Sequence, residues 1–498
     1  MRKALSRNPD VVLTLIAGYF LFAVLARVIR SPGLEVDEAQ QAVLSQFLLL
    51  GYGSQPPVYS WLQYGVNAIL SPSIASLSVL KNGLLFLCCL FFWLTARLLI
   101  REKALVNVAT LGVLTLPTVF VMSQRDLTHT VLVLFAVSLF VYALFGTLKK
   151  PSALGYTLTG LVIGLGAVSK YNFVVIPLAA ILALALEKDL RDRLLDWRLL
   201  LTAVAALIVV APHLLWVVDH LDLATGQTTN EMREGAEHAI FHGLSGMLAL
   251  ILAFLKGLAL TTAIFAVLFF KDIKAILRAS DQSTRIIGRI ILFSFLCLLL
   301  IVFWMGATHV RQKWVSVYLL LWPLYLCLKV QAAGVLADRR LHPMLTVTSV
   351  LAVGFVLVLL GRGLVAPYLD RYSLVHRPYH SFAGLLRNDG HMEPQYIMAV
   401  GGIVGGNLKM QFPNSTVFIG DRDVEPLPTS WPAGSVVLLA GDSKEAEMQQ
   451  DPADVLAELA ERTSLPIPSD VTRIDVPYAM SSEKRHTFYY AWETIPLR

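Results

Sequence analysis

Charge is scarce in this chain of 498 residues: Asp, Glu, Lys and Arg together make up only 15% of it, against about 25% in an ordinary soluble domain. That shortage excludes a water-soluble enzyme of the usual kind. Cysteine is scarcer still. Cys88, Cys89, Cys297 and Cys327 all lie inside apolar runs, where they read as small hydrophobes and not as disulfide partners or metal ligands. The net charge of +6 is dispersed in short clusters, so no basic patch suited to nucleic acid is present. No internal repeat of fixed period is found either.

What the chain has in abundance is hydrophobicity, at 56% of its residues. Apolar runs recur from Val11 to Gly361, each to be measured against a hydrocarbon core about 30 Å thick. This is a polytopic membrane protein. About eleven spans are expected, beginning near Val11, Leu77, Ala104, His129, Ala153, Asn172, Leu199, Gly246, Arg289, Trp314 and Leu345. Arg2, Lys3 and Arg7 precede the first, and the run from Val11 is long enough to be retained as a helix and not removed as a leader. Basic clusters follow the second, fourth, sixth, eighth and tenth spans, at Arg97–Lys103, Lys149–Lys150, Lys188–Arg198, Lys271–Arg289 and Lys329–Arg340. Alternation of this kind places those connections and the N-terminus in the cytoplasm and the C-terminus outside.

Composition changes near Arg362. Residues 1–363 form the expected transmembrane domain, with a first extracytoplasmic loop over 31–76, and residues 364–498 form a small extracytoplasmic α/β domain. Within that domain Gln395–Val400, Val417–Gly420, Val436–Ala440, Thr472–Tyr478 and His486–Trp492 read as strands, and Asp454–Arg462 as a helix. The run Gly401-Gly402-Ile403-Val404-Gly405-Gly406 fits neither nucleotide-loop spacing and reads as a structural turn. The sequon at Asn414 reads as chance.

The unusual polar residues gather in the outer connections. The first holds Glu35, Asp37 and Glu38, an amphipathic stretch over Ala39–Leu50, and then Tyr52, Pro56, Pro57, Tyr59 and Trp61. Acids favour a helix start, so capping competes with chemistry for Asp37 and Glu38. Asp126 has the same two readings, as cap of the fourth helix or as active-site acid. Lys170, in the four-residue link Ser169–Asn172, lies at the edge of the hydrocarbon, where a lysine requires an anion or a route to water. The fourth outer connection carries His220, Glu231, Arg233, Glu234, Glu237, His238 and His242; the two last histidines have metal-compatible spacing but no third ligand fixed by it. The fifth contains Arg311, Lys313 and Trp314. Lys256 is a charge within a span, placed either to snorkel or to line a cavity. Carboxylates and cations thus come to one membrane face from distant parts of the chain. A carboxylate beside a hydroxyl can act as general base, and cations can stabilise a departing lipid-linked phosphate. That chemistry suits glycosyl transfer and does not by itself exclude transport.

Asp37-Glu38-Ala39 after the first span, then Gly51-Tyr52, Pro56-Pro57 and Trp61, then Asp126, Gly164-Leu165-Gly166, Ser169-Lys170-Tyr171 and Lys313-Trp314 form an ordered set. In this the chain resembles the membrane-embedded glycosyltransferases of GT-C fold, in the family of the protein O-mannosyltransferases and the lipid A aminoarabinose transferases. Ser54-Gln55 stands where that family has Asp-His, and Lys313 where it has His. The resemblance covers the whole length. It implies an all-α polytopic bundle of about 11–13 helices with a C-terminal extracytoplasmic α/β domain. It further implies inverting transfer from a polyprenyl-phosphate sugar to an envelope glycolipid such as lipid A or lipopolysaccharide, in a bacterial inner membrane with a periplasmic active site. Asp37, supported by Glu38, would be the catalytic or acceptor-orienting carboxylate and Asp126 the second acid. Lys170, Arg311, Lys313 and Lys256 would bind the donor phosphate, and Tyr52, Tyr59, Tyr171 and Trp314 the substrates. No cofactor is implied, although some members use a divalent metal. A protein acceptor is the alternative within the family; a transporter or flippase for a lipid-linked or anionic solute is the alternative outside it.

Overall fold

The structure, a computed structural model, describes residues 10–233, 242–388, 393–420, 426–428, 430–442, 451–481 and 483–496. Among the described residues eight helices are long and apolar enough to cross a membrane: Asp10–Arg30, Ile74–Leu99, His129–Lys149, Leu199–Asp219, Gly243–Leu268, Gln282–Trp304, Gln312–Ala332 and Asp338–Leu364. A bent pair, Lys103–Val113 and Thr118–Asp126, meets at 55°, and two shorter apolar helices cover Ala153–Ala167 and Tyr171–Ala185. These account in order for the expected apolar runs. The four cysteines are free thiols.

By internal contacts the chain divides into two compact units. The first comprises 10–22, Ser54–Val58 and Lys81–Val356. Its helices pack through small residues, as membrane helices do when no hydrophobic drive separates lipid from protein. Gly160 and Gly164, four apart on one face of the Ala153–Ala167 helix, lie against the Leu199–Asp219 helix. A Cβ on Gly164 would come within 2.6 Å of Val209 Cβ and 2.9 Å of Ala206 O.

At one end of this unit the basic connections bond to one another. Gln331 Nε2 donates to Leu99 O at 3.0 Å and Arg198 Nη1 to Pro151 O at 3.1 Å. Arg285 and Arg289 both grip Glu187, and Arg340 pairs with Asp272 at 2.8 Å. The clusters after the expected second, sixth, eighth and tenth spans therefore share one end, as their alternation requires.

The second unit comprises Ala23–Gly53, Tyr59–Leu80 and 357–496. It holds a five-stranded sheet of order β2-β1-β3-β5-β4, with β1 Tyr396–Ala399, β2 Thr416–Ile419, β3 Val436–Asp442, β4 Thr472–Pro477 and β5 Arg485–Thr494. The three strands β2, β1 and β3 are parallel, and β5 and β4 add antiparallel. Alternate side chains enter opposite faces. Ile397, Leu438, Ala440, Phe488 and Tyr490 pack on one side with Phe382 and Leu408. Met398, Val437, Leu439, Tyr489 and Ala491 pack on the other with Leu456 and Leu459. Strand β3 is central and buried at every position, which explains its apolar run over Val436–Ala440, whereas edge strand β4 is largely exposed and polar.

Most of the expected first loop belongs to this unit by its packing. Val43 enters the same core cluster as the sheet, and Gln46 exchanges hydrogen bonds with the backbone of Val417 at 3.0 Å in each direction. The glycine run is half turn and half helix. Gly401 turns with φ +88°, and Gly402–Gln411 is helical. Gly406 then lies so close to the Val36–Leu44 helix that a Cβ would meet Ala39 Cα at 2.5 Å.

Candidate active site

In the second unit the site is built from the end of the first span. Arg27 and Arg30 stand in the last turn of the Asp10–Arg30 helix, 5% and 4% exposed. Both are held by acids. Arg27 Nε donates to Glu38 Oε1 at 2.9 Å and Nη2 to Oε2 at 2.5 Å, while its other donors reach Ser31 O and Gly33 O. Arg30 pairs with Glu35 at 2.9 Å. Glu38 Oε2 also accepts the Glu35 amide at 3.2 Å, so capping and ion pairing both occupy this carboxylate.

The expected amphipathic stretch is helical over Val36–Leu44 and then turns. Tyr52 anchors that turn: its hydroxyl accepts the Leu49 amide at 3.1 Å and donates to Phe47 O, and burial pushes its pKa up to about 12. Trp61 Nε1 donates to Leu49 O at 2.8 Å. Asp37 is half-buried, one residue before the buried Glu38. Tyr59, 1% exposed, lies within electrostatic reach of both carboxylates; burial first, and then the charges of Glu38 and Asp37, hold its hydroxyl protonated far above the usual range.

In the first unit a second polar group forms at the end opposite the basic network. Asp126 closes the short Ser123–Asp126 helix and is half-buried. The N-cap position of the fourth span is Thr128, and Leu127 is extended between it and Asp126. His129 and Thr130 open that span, 6% and 3% exposed. Lys170 Nζ donates to Thr130 Oγ1 at 2.8 Å. The lysine is thus drawn over the start of the His129–Lys149 helix. Asn172 Nδ2 donates to Trp314 O at 2.9 Å, and Tyr318 donates to Asn172 O at 2.7 Å. Arg311 lies over the Trp314 ring at 5.9 Å. The 169–172 link is thus joined to Thr130 through Lys170 and to Trp314 through Asn172, so three separate stretches of chain meet there.

Tyr171 turns the other way. Its hydroxyl bonds His213 Nε2 at 3.1 Å, and Tyr171, His213, Trp216 and His220 stack in a near-parallel ladder along the Leu199–Asp219 helix. Lys313 is half-buried in the first turn of the Gln312–Leu319 helix, and Lys256 is exposed in the middle of the His242–Leu268 helix. Arg2, Lys3, Arg7, Glu234, Glu237 and His238 lie outside the described residues, as do the side chains of Glu231, Arg233 and His242.

Sequence reasoning passed over Arg27, Arg30, His129, Thr130, Asn172 and His213. For the two arginines a signal existed, since a basic pair at the end of an apolar span, close in sequence to Glu35, Asp37 and Glu38, invites acidic partners. Of the others, His213 is an ionisable residue inside an apolar span, which is a signal in itself, whereas His129, Thr130 and Asn172 are ordinary residues at the starts of apolar segments.

Chemically, the described groups supply carboxylates, a buried tyrosine and cations at helix ends, and this set serves proton removal and phosphate stabilisation. Residues 54–216 match the family described as dolichyl-phosphate-mannose-protein mannosyltransferase. The chain is 38% identical to the lipopolysaccharide core galacturonosyltransferase RgtB of Rhizobium johnstonii over 100% of both chains. It is 36% identical to RgtA of the same organism, a protein of the same description, over 99% of both. The crystal structure of ArnT from Cupriavidus metallidurans bound to undecaprenyl phosphate has the same fold, with a TM-score of 0.60, 13% identity, and coverage of 96% of this chain and 97% of that one. Full-length identity with RgtB and RgtA, on a chain folded like ArnT, shows that this protein belongs to the GT-C membrane glycosyltransferases, in the family of the lipopolysaccharide core galacturonosyltransferases.

Proposed function

We propose that the protein transfers a uronic acid, of the galacturonic class, from a polyprenyl-phosphate carrier to the core of lipopolysaccharide on the outer face of the bacterial inner membrane. The observation that carries this reading is the unbroken 38% identity with RgtB, whose name specifies that sugar and acceptor. The lipid-linked donor rests on the family resemblance and on Lys170 beside Thr130 at a helix start, where a phosphate finds a cation and hydroxyl together. ArnT, in the structure named above, holds such a carrier.

In the proposed reaction an acceptor oxygen forms a bond to the anomeric carbon as that carbon's bond to the donor phosphate breaks. The phosphate leaves with the bonding pair, and configuration inverts. Asp37 is the proposed carboxylate that orients the acceptor hydroxyl and takes its proton. Glu38, fixed by Arg27, supports the helix turn that presents it. Asp126 is the proposed second acid. Lys170 and Arg311 bear the charge of the departing phosphate, with Lys313 and Lys256 assisting. Tyr59, Tyr171 and Trp314 are proposed substrate contacts, and Tyr52 acts through the turn it anchors. In this reading the N-terminus is cytoplasmic, and residues 364–498 form a periplasmic domain.

The test is mass spectrometry of lipopolysaccharide core from cells lacking the protein, cells expressing it, and cells expressing Asp37→Asn at equal membrane abundance. A hexuronic acid increment that needs the intact protein supports the reading. A hexose or aminopentose increment overturns the sugar, and an unchanged core with altered glycoproteins overturns the acceptor. Unchanged product with Asp37→Asn overturns the assignment of Asp37.

A further inference from the structure

The basic end of the first unit contains a cleft that the transfer reaction does not use. It occupies about 570 Å³ between the His242–Leu268, Gln282–Trp304 and Trp322–Ala332 helices, within the range of about 300–1,000 Å³ typical of small-molecule sites. Its walls divide sharply. Toward the middle of the spans the lining is apolar, with Ile251, Leu255 and Leu292 exposed beside Phe295. The mouth is lined by Arg285, Arg289 and Lys329.

Three features define an occupant. The first is length. From Arg285 to Phe295 the Gln282–Trp304 helix advances ten residues, about 15 Å at 1.5 Å each, which is half of a hydrocarbon core about 30 Å thick. The cleft thus matches a single leaflet. The second is charge. Three cations line the mouth, and among the described residues no carboxylate lines it. Glu187 bonds Arg285 at 2.5 Å and Arg289 at 3.0 Å from outside the cleft, and Asp189 and Asp281 act on Arg285 from outside it as well. Each guanidinium carries five donors, more than Glu187 can accept. Lys329 is fixed in place by Leu277 O at 2.9 Å and by Ala279 O. The third is the aromatic wall, where Trp322 and Tyr325 stack at 5.3 Å; at 1.5 Å per residue they lie about 10 Å and about 6 Å along the helix from Lys329, so they offer flat apolar faces to the part of a chain below the phosphate.

We infer that this cleft binds an anionic glycerophospholipid of the leaflet at the basic end, with one acyl chain between the helices and its phosphate at Arg285, Arg289 and Lys329. The site lies at the opposite end of the unit from the proposed transfer chemistry and is independent of it.

The test uses the full chain purified in a neutral detergent. Native mass spectrometry records retention of phosphatidylglycerol, of phosphatidylcholine with the same acyl chains, and of undecaprenyl phosphate. Phosphatidylglycerol is expected to be retained about fivefold or more over phosphatidylcholine, the effect of about one basic side chain at an anionic surface. Leu292→Trp fills the apolar part from a lipid-exposed position and leaves the Glu187 network intact, so it is expected to fold and to remove that excess retention. Lys329→Gln is expected to reduce retention of the anionic lipid and not of phosphatidylcholine. Equal retention of the two phospholipids, or unchanged retention in Leu292→Trp, overturns the inference. Selective loss of undecaprenyl phosphate in Leu292→Trp overturns the occupant in favour of a polyprenyl carrier.

Discussion

Arg27 and Glu38 form a buried ion pair at 2.5 Å, their side chains 4% and 3% exposed, that joins the last turn of the first span to the first turn of the Val36–Leu44 helix. Four of the arginine's bonds go to Glu38, Ser31 and Gly33, so the pair dictates the path of the chain immediately before Asp37. Removing one member of such a pair leaves an uncompensated buried charge and costs about 3–5 kcal/mol. Glu38→Gln and Arg27→Gln are therefore expected to lower the melting temperature and the yield of monodisperse protein. Asp37→Asn, at the adjacent half-buried position, is expected to do neither. Equal melting of Glu38→Gln and wild type would remove the pair from this role.

Asp37→Asn preserves shape and removes the base. In purified enzyme with lipid-linked donor, kcat is expected to fall about 10²–10⁴-fold, the usual contribution of a positioned general base. Steady-state kinetics at saturating donor and acceptor checks this. A loss confined to acceptor KM would make Asp37 a binding residue only.

Lys170 and Thr130 separate binding from positioning. Lys170→Met is expected to lower kcat/KM for the donor about 10²-fold, as for loss of one stabilising donor. Thr130→Val removes the hydroxyl that Lys170 bonds at 2.8 Å and is expected to raise donor KM while leaving kcat within a few-fold. A fall in kcat for Thr130→Val as large as that for Lys170→Met would place Thr130 itself in the chemistry.

Gly406 is where the loop helix meets the C-terminal domain. A Cβ there would stand 2.5 Å from Ala39 Cα, which is backbone and has no rotamer to move. Gly406→Ala is expected to cost about 1–3 kcal/mol, as overpacking does, and to raise hydrogen exchange in Val36–Leu44 and Gly402–Gln411 together. Protection of either helix unchanged would separate them.

Lys409 makes the second unit sensitive to alkaline pH. Its ammonium donates to Pro413 O at 2.9 Å and Ser415 O at 2.7 Å, yet burial lowers its pKa from 10.5 to about 8. Below pH 8 both folded and unfolded states are protonated, and the folded state bears the full cost of desolvating the charge. Between 8 and 10.5 the folded state releases the proton while the unfolded chain retains it, so this contribution to stability rises with pH. Hydrogen exchange in Gly402–Gln411 at pH 7.5 and 9.5, corrected for intrinsic rates, is expected to show that gain in wild type and not in Lys409→Met. The same pH response in both would assign it to another group.

Much of the architecture was legible in the residue order. Runs such as Val11–Arg30 and His129–Lys149 are long enough that no water-exposed placement is tolerable, and the basic clusters between them determine which ends lie together. The strands near Gln395, Val417, Val436, Thr472 and His486 were legible because burial on a sheet imposes short apolar segments bounded by turn residues. Asp37, Asp126 and Lys170 were visible as charges at the edges of apolar segments, where charge is expensive. Tertiary structure alone decided who holds them. Glu38 is claimed by Arg27, eleven residues away, Lys170 by Thr130, forty residues away, and Tyr171 by His213. Val43 and Gln46 join a sheet that begins some 350 residues later. Periodicity and hydropathy are sums over neighbours in sequence, so they report which face of a segment is buried. A hydrogen bond of 2.8 Å depends on distances between segments, and those are set only when the helices pack.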